Sequence, residues 1–452
     1  MEPTTPPPVV VIGAGPVGLA AAAHLLERGL EPLVLEAGPG PGAAVADWGH
    51  VRLFSPWRYC LDAAARHLLE STGTWQVPDL DALPTGADLV RDYLTPLAGT
   101  LAVRDRVRYG TRVTAVARDG ADRTRSLGRE RRGWLVRTES DAGTRDLRAA
   151  AVVDASGTYG QPNPLGGSGL PALGEADAAP HLAGPLPDVL GRDRERFAGR
   201  RVLVVGMGHS AANTLLALTR LAEDAPGTRI VWAIRGGSPR RLFGGGADDE
   251  LPARGLLGTR LREAVDAGRL DLWTRVGIER LDVVGGGVRV TGFGRAPGAR
   301  TEGPFDVDVA VVSAATGFRP DLEMLREVRL DLDPVVEAPA RLAPLIDPNL
   351  HSCGTVEPHG EAVLAHPDTG FYLAGMKSYG RAPTFLLATG YEQVRSIAAA
   401  LAGDRAAADA VELALPETGV CSTDLEDDAG SCCGGSSGPQ PVTLVGARAG
   451  DV

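Results

Sequence analysis

Three groups of residues in this sequence have the types and spacing to do chemistry. The first is Gly13, Gly15 and Gly18 in Val9-Val-Val-Ile-Gly13-Ala-Gly15-Pro-Val-Gly18. Glycines at this spacing permit a tight turn, close approach of a pyrophosphate, and close packing of the helix that follows. The N–H groups and dipole at the start of that helix attract phosphate. Glu36 stands 23 residues after Gly13, where a carboxylate accepts hydrogen bonds from ribose hydroxyls and repels a 2′-phosphate. This site suits FAD or NAD and disfavours NADP.

The second group, Gly206-Met-Gly208-His-Ser210-Ala, repeats the pattern without the third glycine. Its second strand ends in Arg235, with Arg240 and Arg241 close behind. A guanidinium fork pairs with phosphate oxygens in bidentate fashion, so NADPH is expected here. One site for FAD and one for NADPH imply hydride transfer from the second to the first. The third group is Cys421, Cys432 and Cys433 in a glycine-rich tail. Soft thiolates there suit a soft metal or trivalent arsenic; a redox relay and a functionless tail are the alternatives.

The elements that must position these residues form an α/β chain with two Rossmann-like dinucleotide-binding domains, the second inserted into the first. Apolar runs ending in glycine or an acid mark strands at 9–12, 33–36, 151–157, 201–205 and 229–235. Alternation at 107–118 and 133–148 predicts antiparallel strands around an Arg-rich loop, and strands near 270–276, 287–292 and 307–312 finish the second unit. Helices are expected over 86–102 and 384–402, with a short one near 404–414. Residues 8–190 and 325–402 are expected to form a discontinuous FAD-binding domain, 191–324 an NADP-binding domain, and 403–452 a mobile Cys-containing tail.

The net charge of −11 argues against nucleic acid or an anionic membrane as partner. The N-terminus shows no basic region followed by an apolar core, and no apolar run reaches the length of a membrane span. A cytoplasmic protein with reduced thiols is expected, since five cysteines so distributed make no disulfide framework. Of 46 basic residues 45 are arginine, and Lys377 is the single lysine.

Gly13-Ala-Gly15-Pro-Val-Gly18, Phe197-Ala-Gly199-Arg-Arg-Val-Leu-Val-Val-Gly206-Met-Gly208-His-Ser210 and Ala315-Thr316-Gly317-Phe318-Arg319-Pro320 resemble the flavoproteins with two dinucleotide domains. They are similar in particular to the branch holding flavin-containing and Baeyer–Villiger monooxygenases. The resemblance spans residues 8–402 and adds Thr316 and Gly317 to the cofactor-binding candidates. Gly375-Met-Lys377-Ser-Tyr379-Gly-Arg381-Ala-Pro383-Thr384 and the cysteine tail resemble flavoproteins of bacterial arsenic resistance.

The resemblance implies that residues 51–60 approach the flavin ring and substrate, which makes Arg52 a catalytic candidate, with His50 and Cys60 beside it. Lys377 is expected to bring positive charge to the flavin, and Thr384 to open a helix whose N–H groups face it. Cys353, just before the returning strand, is a further catalytic candidate or a buried inert thiol. Two departures stand out: the monooxygenase pattern F-x-G-x-x-x-H is not legible before Arg200, although His181 is present, and no C-x-x-C of the dithiol reductases occurs. The expected reaction is an NADPH-dependent, monooxygenase-like oxidation of a small arsenic or sulfur compound. A thiol/disulfide reductase using the tail cysteines and a metalloid-binding protein on a flavoprotein scaffold are the alternatives. The partners expected are the small-molecule substrate, trivalent arsenic or a soft metal at the tail, and a second copy in a homodimer.

Overall fold

The computed structural model describes residues 6–240, 242–243, 251–348, 356–382 and 385–413. Short apolar runs that stop at a turn become its inner strands. β1 (Val9–Ile12), β2 (Pro32–Leu35) and β3 (Val107–Arg108) start a parallel sheet. The chain then forms the antiparallel meander β4 (Arg112–Arg118), β5 (Trp134–Ser140) and β6 (Gly143–Ala149), and returns as β7 (Ala151–Asp154) beside β1.

A second sheet takes β8 (Leu182–Ala183), β9 (Arg201–Val205), β10 (Arg229–Ala233), β11 (Asp271–Val284), β12 (Gly287–Arg295), β13 (Gly303–Val309) and β14 (Val311–Ala314). Their order is β13-β12-β11-β10-β9-β14-β8, and β15 (Phe371–Leu373) rejoins the first sheet as β15-β7-β1-β2-β3. The second unit is thus inserted into the first. β8 lies before residue 191, yet it pairs with β14 of the second sheet.

Each sheet is covered on both faces, and residue alternation divides the cover. Val9 and Val11 face the helices Pro16–Glu27, Ala63–Glu70 and Leu387–Leu401, whereas Val10 and Ile12 pack with Val116, Trp134 and Val136 of the meander. In the second sheet Val202 and Val204 meet the helices His209–Asp224 and Pro252–Asp266, and Leu203 and Val205 pack with Ile278, Val290 and Val307.

Several expected boundaries move for local reasons. The run at 107–118 splits at Gly110 (φ +57°), sending β3 to the parallel sheet and β4 to the meander. β11 continues to Val284 because two register shifts let it leave β10 and pair with β12. The helix expected over 86–102 carries a π-helical turn at Val90–Leu94. The helix expected from 384 starts at Leu387. A short helix, Arg405–Asp409, follows.

The Arg-rich loop after β4, though largely exposed, is anchored through buried Arg129. Arg129 donates to both carboxylate oxygens of Asp368 at 2.8 Å, and the backbone N–H of Arg329 donates to Oδ2 at 2.8 Å. Burial pushes the Asp368 carboxyl up, but these hydrogen bonds and the arginine charges outweigh it and hold it below the usual value. The folded pKa is depressed, so its stabilisation is full above the ordinary carboxyl range and is lost as pH falls through the folded value. Breaking a buried pair of this kind costs about 3–5 kcal/mol. Asp368→Asn is expected to lower stability by that order in urea unfolding at neutral pH, with a flatter acid dependence than wild type.

Candidate nucleotide and flavin site

The first crevice opens where β1 ends. Gly13 has φ +99°, and a Cβ there would lie 2.8 Å from the carbonyl oxygen of Ala155 and 3.1 Å from Cα of Ser156. A Cβ on Gly18 would stand 1.9 Å from the oxygen of Gly13, so turn and helix are in contact. Gly15 differs: nothing lies within 4 Å of where its Cβ would be. No side chain caps the helix Pro16–Glu27 at Gly15, which leaves its first-turn N–H groups to an external acceptor.

Glu36 is fixed beside this opening. Its Oε2 accepts the N–H of Ala14 and its Oε1 the N–H of Gly38, both at 2.7 Å. A carboxylate oxygen has capacity for more than one donor, so ribose hydroxyls find an oriented acceptor. Bare glycine, uncapped helix and anchored acid fit the adenosine diphosphate half of FAD.

The second crevice repeats this geometry. Gly206 has φ +130°, and a Cβ on it would fall 2.0 Å from the oxygen of Ala315, while Gly208 has nothing within 4 Å. Ala211 is fully buried at the third position, and Ser210 is half-buried in the first turn of the uncapped helix His209–Asp224. The indole N–H of Trp232 donates to the carbonyl of Gly206 at 2.8 Å and braces the turn. Sequence reasoning passed over Trp232, which reads only as a strand residue. Arg235 and Arg240 are exposed after β10, and Arg241 lies outside the described residues.

Thr316 and Gly317 belong to the connector leaving β14, where Asn163 of the opposite connector engages them. The Thr316 hydroxyl donates to the Asn163 carbonyl, and Asn163 Nδ2 donates to the carbonyls of Thr316 and Phe318 at 3.2 and 3.3 Å. Arg319 Nε donates to Asn163 Oδ1 at 3.0 Å, and the rings of Tyr159 and Phe318 lie 5.5 Å apart. The Thr316 hydroxyl therefore ties the two crossings between the units. An asparagine in an irregular connector carries no periodicity to mark it.

Residues 51–60 bridge the crevices. Exposed Arg52 donates to the carbonyl of Leu83 at 2.6 Å, Trp57 is buried, and the ring of Phe54 lies 5.1 Å from that of His209, the first residue of the second fingerprint helix. His50 is exposed. Cys60 is fully buried, and burial pushes its thiol up to about 12, which makes it inert. Its carbonyl accepts the hydroxyl of Tyr391 at 2.7 Å. His181 faces the carbonyl of Ala310 through Nδ1 at 3.3 Å. Cys353, Thr384, Cys421, Cys432 and Cys433 lie outside the described residues. Among the described residues no group of three or more His, Cys, Asp or Glu side chains could hold a metal ion.

Lys377 is neither solvated nor a free charge. It is fully buried, and its ammonium donates to Asp154 Oδ2 at 2.6 Å and Ser156 Oγ at 3.1 Å. Around the same turn, Gln393 Oε1 accepts the N–H of Gly375 at 2.8 Å, and its Nε2 lies 2.9 Å from both His359 Nε2 and Ser378 Oγ. Burial pushes the His359 imidazole below its ordinary value. Its Nδ1 lies 2.9 Å from the carbonyl of Glu357; a proton on Nδ1 leaves Nε2 as the acceptor for Gln393. Asp154, Ser156, His359 and Gln393 had no signal in the sequence, because their partners are brought in from remote segments.

Comparison with known proteins bears on the first crevice. Residues 8–98 match the family described as FAD dependent oxidoreductase. Indole-3-pyruvate monooxygenase YUCCA1 of Oryza sativa subsp. japonica is 31% identical over 242 residues, 53% of this chain and 51% of that protein. The chain thus spans about half the length of the curated relatives it matches. The bacillithiol disulfide reductase Bdr of Bacillus cereus has a similar fold, with TM-score 0.62 and 19% identity over 88% of this chain and 99% of that one. So has the cadaverine monooxygenase of desferrioxamine biosynthesis from Erwinia amylovora, with TM-score 0.61 and 14% identity over 92% of this chain and 98% of that one. No helix among the described residues is long and apolar enough to cross a membrane.

Gly18→Ala places a methyl against the Gly13 carbonyl. It is expected to abolish FAD retention through purification, read as the ratio of flavin to protein absorbance, while Gly15→Ala keeps the fold and weakens FAD binding.

Proposed function

We propose that this protein is an NADPH-dependent, monooxygenase-like flavoenzyme acting on a small soft substrate, an arsenic or sulfur compound. One observation carries the cofactor part: two matching glycine turns are followed by opposite charges, Glu36 after β2 and Arg235 after β10. The acid selects the dinucleotide without a 2′-phosphate and the guanidinium selects the one with it.

The proposed division gives FAD to residues 8–190 and 325–402 and NADPH to 191–324, with β8 adding an edge to the NADPH unit. Bound FAD would supply hydride acceptance and oxygen chemistry. The chain's own residues bind and orient. Uncapped N–H groups after Gly15 and Gly208 would hold the pyrophosphates, and Glu36 the adenosine ribose. Arg235, Arg240 and Arg241 would hold the 2′-phosphate. The loop carrying Arg52 and Phe54 would cover the space between the crevices and exclude water, with Arg52 and Cys353 as candidates for substrate contact. Thr384 remains a proposed cofactor contact.

Similarity to YUCCA1, an indole-3-pyruvate monooxygenase, supports the monooxygenase direction. A thiol/disulfide reductase would need an exposed thiol, and buried Cys60 does not provide one, so that chemistry would fall to Cys353 or the tail. Cys421, Cys432 and Cys433 are proposed to capture trivalent arsenic or another soft metal.

The deciding experiment records NADPH oxidation and oxygen uptake together, with trivalent arsenic and sulfur compounds as substrates. Oxygen uptake coupled to an oxygenated product is expected; anaerobic turnover with a disulfide acceptor would replace this reading with the reductase. Two arginines lost from a phosphate, at about 1.5–3 kcal/mol for each charged hydrogen bond, set the cofactor test. Arg235→Ala with Arg240→Ala is expected to raise KM for NADPH at least about tenfold, leaving KM for NADH little changed. Changing Cys421, Cys432 and Cys433 to Ser is expected to remove trivalent arsenic binding in equilibrium dialysis without altering NADPH oxidation.

A further inference from the structure

The lone lysine makes a closed arrangement with two partners that the proposed function does not use. Lys377 Nζ donates to Asp154 Oδ2 at 2.6 Å and to Ser156 Oγ at 3.1 Å, while the Ser156 hydroxyl donates to Asp154 Oδ1 at 2.7 Å. The Ser156 N–H donates to the same oxygen at 3.1 Å. Both charged side chains have 0% exposure.

The arrangement stands at the edge of the first crevice. Asp154 ends β7, in register with Ile12 of β1 and Leu373 of β15. Ser156 presents its Cα 3.1 Å from where a Cβ on Gly13 would be. On the other side Gly375 (φ +68°) stands so close to the first fingerprint helix that a Cβ would meet Val17 Cγ2 at 3.2 Å. Lys377 and Asp154 thus join the ends of β15 and β7, the two strands on one side of the glycine turn, at the carboxyl edge of a parallel sheet where ligands of such folds bind.

We propose that Asp154 and Ser156 are positioning residues that hold the Lys377 charge in a neutral pair beside the flavin, and that this pairing sets the flavin's reduction potential. An apolar pair of similar volume is often no less stable than a buried ion pair, so packing alone gives no reason for charge at this place. A neutral pair acts on a nearby group as a dipole, whose field falls off faster than that of a lone charge. With Asp154 in place, the cation's pull on electrons entering the flavin is largely cancelled. Without Asp154 that pull is restored; without Lys377 a lone carboxylate opposes them.

The proposal rests on the reading that FAD occupies the first crevice, and its test separates the two. Wild type, Asp154→Asn, Lys377→Met and the double variant are loaded with FAD and titrated anaerobically against reference dyes at one pH. Asp154→Asn is expected to shift the reduced-to-oxidised ratio at fixed potential upward at least about tenfold, roughly 30 mV for a two-electron couple. Lys377→Met is expected to shift it downward, and the double variant to return close to wild type. Opposite shifts that cancel are not what loosened packing produces.

Single variants at the wild-type potential, or shifts of the same sign, overturn the proposal. If Asp154→Asn does not fold, Lys377→Met and the double variant decide it: a lowered potential restored by the second change supports it, and two equal potentials overturn it. A wild-type chain that binds no FAD overturns the reading of the crevice itself.

Discussion

Both units are built around one steric constraint: a carbonyl oxygen of the neighbouring strand's exit crowds the place where the first glycine of the turn would carry a Cβ. In the first unit the oxygen belongs to Ala155 and in the second to Ala315. Only glycine, at positive φ, lets the chain turn there. This contact sets how closely β7 approaches β1 and β14 approaches β9. It also fixes where the helix starts and leaves the next glycine bare toward an incoming phosphate. The third position shows the tolerance: Gly18 is pressed on the Gly13 carbonyl, whereas Ala211 is accommodated in the second unit.

The same contact ties each crevice to the connectors between the units. Residues leaving β7 run from Ala155 through Tyr159 to Asn163, and those leaving β14 run from Ala315 through Thr316 to Arg319. The hydrogen bonds around Asn163 and the Tyr159–Phe318 ring contact fasten these two crossings together. Phe54 against His209 adds a lighter contact between the loop of one unit and the helix start of the other. Because the crossings begin at the carbonyls that shape the two turns, the crevices are referenced to each other through a few residues of backbone.

What was legible in the sequence was what depends on local order. Glycine spacing, apolar runs and the terminal acid or arginine of a strand are contiguous signals, and they gave both nucleotide turns, the inserted second unit and the return at Phe371. What depends on partners remote in sequence was not legible. Thr316 reads as part of a cofactor motif, and its tie to Asn163, 153 residues away, carries no local signal. Arg129 reads as one of many arginines in a loop, and its burial on Asp368 is invisible there. Lys377 reads as the single lysine and as a charge for the flavin, whereas its partner Asp154 looks like a routine strand end.

That single lysine in an arginine-rich chain has a physical explanation. The buried site offers Asp154 Oδ2 and Ser156 Oγ as acceptors. An ammonium brings three donors on a slim stem, whereas a guanidinium brings five in a rigid plane. Arginine would leave more N–H groups without acceptors in a fully enclosed space, at about 1–3 kcal/mol for each. Where space and acceptors are ample, as at Arg129 with Asp368 and nearby backbone carbonyls, arginine serves. The composition that favours arginine throughout the chain therefore meets its limit at the carboxyl edge of the first sheet, where a compact cation leaves the fewest donors without an acceptor.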